Sequence, residues 1–471
     1  MSHDRFINRS PELRFLNAQY TSPESSLVIL YGRRRVGKTE LIHQFLITHP
    51  GIYLLASEEG THANIQTFAS QCATYLGDSA FKSPLYDSWD SVISALIHHR
   101  RYLEVTKEHK LVLVIDEFPY LIGSDSATPS IFQRIWDQLL KTEPVMLILT
   151  GSSISIMESS VLGYKSPLYG RRTGQWQVDP ISYQHIRAFL PWSEQDLIQT
   201  WAAIGGVPAY LRIFDENMGF WENIRQYMLS KGSYLYSEAD LLLGYEFREP
   251  INYQILLRTM AGGCTTMGSI CNQSGLDRGM VSKYLSTLTS LHMVVDELPV
   301  TSHASFRGRH YRITDPYLLF WFRYVYPNRI FLELNQLDEV LSTIQQDYSR
   351  YCGMIFEELV RDLVGRGFLP TTGRYERYGR WWHKEEEIDI VCLNDMTGAM
   401  LCAEVKWSDL SARDVSSLLS DLKRKSLLVQ WRNHDRREEF CIICRTVEEK
   451  YELRSNGIQV YDIKDIAGIG E

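Results

Sequence analysis

Three short apolar runs stand out along the chain: SLVILY at 26–31, LVLVI at 111–115 and VMLILT at 145–150. Runs of this length without alternation predict strands covered on both faces, as in a parallel sheet flanked by helices. After the first run, Leu41, Ile42 and Phe45 recur at helical spacing. From 251 the rhythm changes. INYQILLRTMAGG stops at a Gly pair, TMGSICNQSG is a short second helix, and LDRGMVSKYLSTLTSLHMV carries a stripe of Met280, Val281, Leu285, Leu288 and Leu291. Two extended segments, VVDELPV and RHYRITD, come next, which is the order of a helix-turn-helix with a wing. DPYLLFWFRYVYPN, at 315–328, predicts an aromatic core helix. After 350, the amphipathic GMIFEELVRDLVG is followed by IDIVCL, the turn NDMTG and AMLCAEVKW, which predicts a hairpin.

The length of 471 residues, 44% of them hydrophobic, allows several domains with their own cores. The pattern changes place an α/β core at 1–180, a helical lid at 181–245, a winged helix-turn-helix at 246–330 and a second α/β domain at 331–471. The apolar runs are far too short to span a bilayer, and MSHDRFINRS lacks an apolar leader segment. Eight irregularly spaced cysteines make no disulfide framework, so the expectation is a cytoplasmic protein with reduced thiols. With 49 basic against 57 acidic residues, a general basic coat for nucleic acid is excluded, while local patches stay open.

The first run leads directly into GRRRVGKTE, residues 32–40. This matches the G-x-x-x-x-G-K-[ST] phosphate loop, in the strand-before, helix-after setting the loop requires. The backbone of Gly32, Arg33, Arg34, Arg35, Val36 and Gly37 would curl around phosphate oxygens. Lys38 would reach the β- and γ-phosphates of ATP, Thr39 would offer its hydroxyl to Mg²⁺, and Glu40 opens the helix beside them. The second run ends in Asp116 and Glu117. Asp116 suits the acidic side of a Mg²⁺ site and Glu117 a general base for water, both expected from the strand beside the loop. The third run ends in LTGSS, where Ser152 would sense the γ-phosphate or orient water. Arg171 and Arg172 in LYGRRTG suit the transition-state charge of phosphoryl transfer, in cis or across a contact between copies of the chain. A solvated surface pair is the alternative.

These motifs, together with FINRSPELRFL near the start and IGGVPAYL at 204–211, resemble the archaeal-type ATPase family. That family sits in the AAA-related, STAND/MNS-like branch of P-loop NTPases. The resemblance implies a P-loop parallel sheet with a helical lid. It makes Arg9 and Glu12 neighbours of the nucleotide or hinge, and it puts Gly205, Gly206 and Pro208 in the lid.

In the last third, Glu357 on a helix, Asp389 in a strand and the Glu404-x-Lys406 pair follow the order of the PD-(D/E)-x-K nucleases. A turn centred near 396 would pair 389 with about 403, and Glu404 and Lys406 share a strand face. Asp389 and Glu404 would hold a divalent ion, Lys406 would attend the scissile phosphate, and Glu357 would complete the shell, with Glu358 as a substitute. The tail resembles the restriction-endonuclease-like, DUF234-like domain that often ends archaeal-type ATPases. Arg374, Arg377, Arg380, Lys384, Tyr375, Trp381 and Trp382 interleave cations with rings, a mixture suited to nucleic acid. In the winged helix, Arg278, Ser282, Lys283, Arg307 and Arg309 would contact DNA, unless the module only packs domains together.

The expectation is a Mg²⁺-dependent ATPase whose nucleotide state governs a DNA-binding or DNA-cleaving tail. The alternative is an ATP-dependent switch that binds DNA or recruits partners without cutting, and a tail serving only as a protein-interaction platform is a third reading.

Overall fold

Each of the three apolar runs is a strand buried along its whole length. The structure, a computed structural model, describes residues 6–82, 86–247, 249–303, 306, 308–367 and 375–467. The chain divides into two compact units, Met1–Ile181 with Val207–Ala209 and Ser182–Gly206 with Tyr210–Glu471.

The first unit is built on β1 (Ser26–Tyr31), β2 (Gly51–Leu55), β3 (Leu111–Asp116), β4 (Val145–Gly151) and β5 (Gly174–Gln177). All pairings are parallel and the order is β2-β3-β4-β1-β5. Leu27 and Ile29 of β1 face one core while Val28 and Leu30 face the other. Both faces of the sheet are therefore dry, which is why the strand shows no polar alternation. The strand order corrects one expectation. The acidic strand β3 is not beside β1; β4 lies between them. Because the strands are parallel, the loop after β1, Ser152 after β4 and Asp116 at the end of β3 open along one edge of the sheet.

In the second unit, the aromatic segment at 315–328 is buried from Tyr317 to Phe322 and anchors the helices before it. The Trp321 indole donates to the Tyr236 carbonyl at 2.8 Å, and the Tyr317 hydroxyl donates to the Leu235 carbonyl at 2.8 Å. The Tyr351 hydroxyl donates to the Ala202 carbonyl at 2.8 Å. Three helices follow the expected spacing: Ile251–Ala261, Met267–Ser274 and Arg278–Ser290. Thr266 and Ser269 form a capping box on the second, and Asp277 caps the third. An antiparallel ribbon of β6 (Val294–Glu297) and β7 (His310–Ile313) comes next. Met280 is not part of the core stripe. Successive helical residues lie about 100° apart, and Val281 takes the inward direction, so Met280 points out and is 39% exposed.

The tail sheet contains β8 (Arg377–His383), β9 (Glu386–Asn394), β10 (Ala399–Leu410), β11 (Arg437–Val447) and β12 (Gln459–Asp462). The order is β12-β11-β10-β9-β8, antiparallel across β8, β9 and β10 and parallel across β10, β11 and β12. Helix Ala412–Ser426 packs on one face of this sheet, with Val415 and Leu422 in the core. The helix carrying Glu357 is longer than its visible stripe and runs Leu337–Gly365. Ala403 pairs with Ile390, so Asp389 falls opposite Glu404, one residue from the expected partner. Cys441 and Cys444 are buried within β11. Among the described residues no helix is long and apolar enough to cross a membrane.

Candidate functional site

The loop after β1 is shaped by its glycines. Gly32 has φ 150°, and a Cβ there would come within 2.3 Å of the Val178 carbonyl oxygen. Gly37 has φ 93°, a left-handed turn into helix Lys38–Leu46. Lys38 is buried, its ammonium donating to the carbonyls of Gly32 (2.8 Å) and Arg33 (3.0 Å). Arg9 braces the loop from behind. Its guanidinium donates to the Val36 carbonyl at 2.5 Å, to the Asp179 carbonyl at 2.9 Å and to Glu12 at 2.8 Å, and both side chains of that ion pair are buried.

At the end of β3, Asp116 collects donors. The Thr39 hydroxyl reaches one of its oxygens at 2.8 Å and the Tyr53 hydroxyl reaches the same oxygen at 2.7 Å. The Glu117 amide donates to the other at 3.0 Å. Burial first, and Asp116 next, push the Tyr53 phenol well above its usual range. Glu117 stands in the left-handed region at φ 56°, just before helix Phe118–Ser124. Its carboxylate accepts from the Ser152 hydroxyl at 2.5 Å and the Ser152 amide at 3.1 Å. Ser152 therefore engages the acid Glu117.

The arginines separate. Arg34 donates to the Tyr120 hydroxyl at 2.8 Å, and Arg35 adopts a left-handed φ of 71°. Arg171 is committed to Asp137, with Nε to its oxygens at 2.9 and 3.1 Å, and to the Pro167 carbonyl at 2.9 Å. Its guanidinium is thus paired with a part-exposed carboxylate. Arg172 lies over the Tyr169 ring at 5.4 Å, and its field also acts on Tyr31, the residue before Gly32. Glu40 is exposed on the first helical turn.

The donors fit a nucleoside triphosphate and a divalent ion. A left-handed glycine turn presents amides at a helix N-terminus beside an ammonium, and a hydroxyl–carboxylate pair supplies hard oxygen ligands.

In the tail, Lys406 sits between two acids, 2.7 Å from Glu404 and 3.6 Å from Asp389. The Val405 amide donates to Asp389 at 2.8 Å. Lys425 approaches the other Glu404 oxygen at 3.9 Å. Burial first, and Asp389 next, raise the Glu404 carboxyl. The same causes push the Glu357 carboxyl up to about 8. Among the described residues no three His, Cys, Asp or Glu side chains converge closely enough to hold a metal ion. Glu358 does not substitute for Glu357, because it pairs with Arg312 of β7 at 2.6 Å.

On helix Arg278–Ser290, Arg278, Ser282 and Lys283 are exposed together. Arg309 instead pairs with Asp296 across the ribbon. Arg307 and Arg374 lie outside the described residues. Tyr53 and Lys425 carried no motif signal; one sits in the ordinary strand GIYLL and the other at the end of a helical pattern.

A glycine loop closing on a lysine at the tip of one parallel strand, with an acidic pair two strands away, defines a P-loop nucleoside triphosphatase fold. Residues 6–214 match a family described as an ATPase domain predominantly from Archaea. Residues 321–418 match DUF234, described as archaea bacterial proteins of unknown function. The chain belongs to this archaeal-type ATPase family. It is 33% identical over 470 residues to an uncharacterised protein of Methanocaldococcus jannaschii, covering 98% of this chain and 100% of that relative. An uncharacterised ATP-binding protein of the same archaeon is 56% identical over 41 residues, 9% of this chain and 70% of the relative. Among solved structures, the chain is similar to a Walker-type ATPase of Pyrococcus abyssi, with TM-score 0.49 and 21% identity over 67% of this chain and 96% of that one. It is also similar to the ORC2 protein of Aeropyrum pernix, with TM-score 0.46 and 14% identity over 72% of this chain and 93% of that one.

Proposed function

We propose that the chain hydrolyses ATP with Mg²⁺ and couples that cycle to a nucleic-acid-engaging tail. The observation that carries the ATPase reading is the 2.8 Å bond between Thr39 and Asp116 beside the buried Lys38. Thr39 and Asp116 would hold the ion, the latter through water. Lys38 would leave the loop carbonyls for the phosphates. Mg²⁺, when bound, neutralises charge that develops on the phosphate oxygens. Glu117 is the base for the attacking water, held in place by Ser152, and Arg172 is the better placed of the two arginines to act on phosphate. The match to a relative named as ATP-binding over a short stretch supports the nucleotide. The test is ATP turnover by the full chain with and without Mg²⁺: hydrolysis lost in Lys38→Ala supports the reading, and undiminished turnover in that variant defeats it.

For the second unit, the reading is a winged helix at 246–330 that contacts DNA through Arg278, Ser282 and Lys283, followed by a nuclease-like domain at 331–471. Asp389 and Glu404 would hold a divalent ion once Lys406 turns toward a phosphate, with Glu357 beside them. A second reading, a switch that binds without cutting, is favoured by one observation: Lys406 lies 2.7 Å from one Glu404 oxygen and Lys425 3.9 Å from the other, so two lysine cations already stand where a divalent ion would. Metal-dependent nicking of DNA that disappears in Lys406→Ala supports cleavage, and no nicking by the wild-type chain supports the switch.

A further inference from the structure

The second unit holds a cleft of about 710 Å³, lined neither by the phosphate loop nor by the carboxylate–lysine cluster, whose wall includes Arg278 of the exposed helix. Four elements wall it. Thr266 and Gly268 come from the turn into the second helix, Arg278 from the start of the third, and His310 and Tyr311 from β7; Trp382 of β8 completes the wall. His310 and Trp382 are stacked with ring centroids 4.5 Å apart and planes 18° from parallel. Arg278 is exposed and has no acidic partner among the described residues, whereas the neighbouring Arg309 is balanced by Asp296.

The cleft also shares a sheet face with the carboxylate–lysine cluster. Trp382 pairs with Glu387 across β8 and β9. Glu387 and Asp389 are two apart on β9, so their side chains point the same way, about 7 Å apart along the strand. Arg380 donates to Glu387 at 3.0 Å and offsets its charge on that path.

We propose that this cleft takes an unpaired nucleic-acid strand, with a base stacked on the Trp382–His310 pair and Arg278 on its phosphate, and presents that strand toward Asp389 and Lys406. The proposal rests on the reading of the tail as a nucleic-acid-processing domain and names its substrate class. A cleft of this size matches the scale of a small-ligand pocket, enough for about one or two nucleotides and not for a duplex. A ring platform also engages only a base whose face is free, which pairing within a helix hides. Duplex contacts remain available to Ser282 and Lys283 on the exposed helix face.

The test is fluorescence anisotropy of the full chain in EDTA with oligo(dT), oligo(rU) and a blunt DNA duplex. The expected result is tighter binding of an unpaired strand than of duplex. Trp382→Ala should weaken strand binding by about ten-fold and Trp382→Phe by much less, with duplex binding unmoved. A preference for either sugar supports the proposal and identifies the strand. Arg278→Ala, at an exposed position, should weaken strand binding and lower its salt dependence, and it keeps the test decisive if Trp382→Ala fails to fold. Duplex binding as tight as strand binding overturns the proposal, as does strand binding unchanged in both Arg278→Ala and whichever Trp382 variant folds. No cleavage occurs in EDTA, so absent nicking with intact strand binding removes only the cleavage reading, and nicking without strand preference removes only this cleft.

Discussion

Ser152 grips the Glu117 carboxylate from two sides, with its hydroxyl at 2.5 Å and its amide at 3.1 Å. The two residues come from the ends of adjacent strands, β4 and β3, and the contact holds the proposed base in a left-handed backbone turn. Glu117→Gln keeps the shape and loses the basic oxygen, so it should retain ATP while hydrolysis falls at least a hundred-fold, within the usual range for a general base. Ser152→Ala removes one of the two donors and should lower kcat about ten-fold with little change in KM. Steady-state hydrolysis alongside nucleotide binding separates the two effects.

Lys38→Ala leaves the amide cradle and removes its ammonium. ATP affinity should fall by more than ten-fold, read by titration with a fluorescent nucleotide, because a phosphate loses a charge-assisted donor at a desolvated site. Unchanged affinity would remove the phosphate-loop assignment.

Arg9 lies under the loop and is buried with Glu12. Arg9→Ala would strand a buried carboxylate and free the Val36 and Asp179 carbonyls, at a cost of about 3 kcal/mol of stability. Arg9→Lys should recover only part, since one ammonium cannot span three acceptors held by a planar fork. Thermal melting with and without nucleotide measures both.

The Glu357 carboxyl is pushed up to about 8, by burial first and by Asp389 next, with Glu387 adding and Arg380 and Lys406 opposing. A carboxyl whose folded pKa exceeds its unfolded one favours the fold when protonated. Its contribution is complete below about pH 4.5 and is lost as pH rises through about 8. Glu357→Gln should therefore raise the Tm by several degrees near pH 8 and flatten its fall from about pH 5 upward. A Tm profile parallel to the wild type would contradict this.

Asp389 is held by the Val405 amide as well as by Lys406. Asp389→Asn should abolish metal-dependent nicking, assayed on supercoiled DNA, while ATP turnover without DNA stays within two-fold. Unchanged nicking would take Asp389 out of the cleavage site.

The buried strands, the glycine loop, the three helices and the tail hairpin were legible in the chain because each is written in local periodicity or in a backbone demand. Gly32 is one such demand, since any side chain there meets the Val178 carbonyl. The hairpin from Asp389 to Glu404 could be read from a turn and a period of two, to within one residue of register. Only the tertiary structure decided that β4 separates β1 from β3, which puts Ser152 against Glu117. It also decided that Arg171 is spent on Asp137, that Tyr53 shares an oxygen of Asp116 with Thr39, and that Lys425 stands beside Glu404. Strand order and charge pairing join segments tens to hundreds of residues apart. No local period encodes such partners; packing and the need to satisfy buried charge select them.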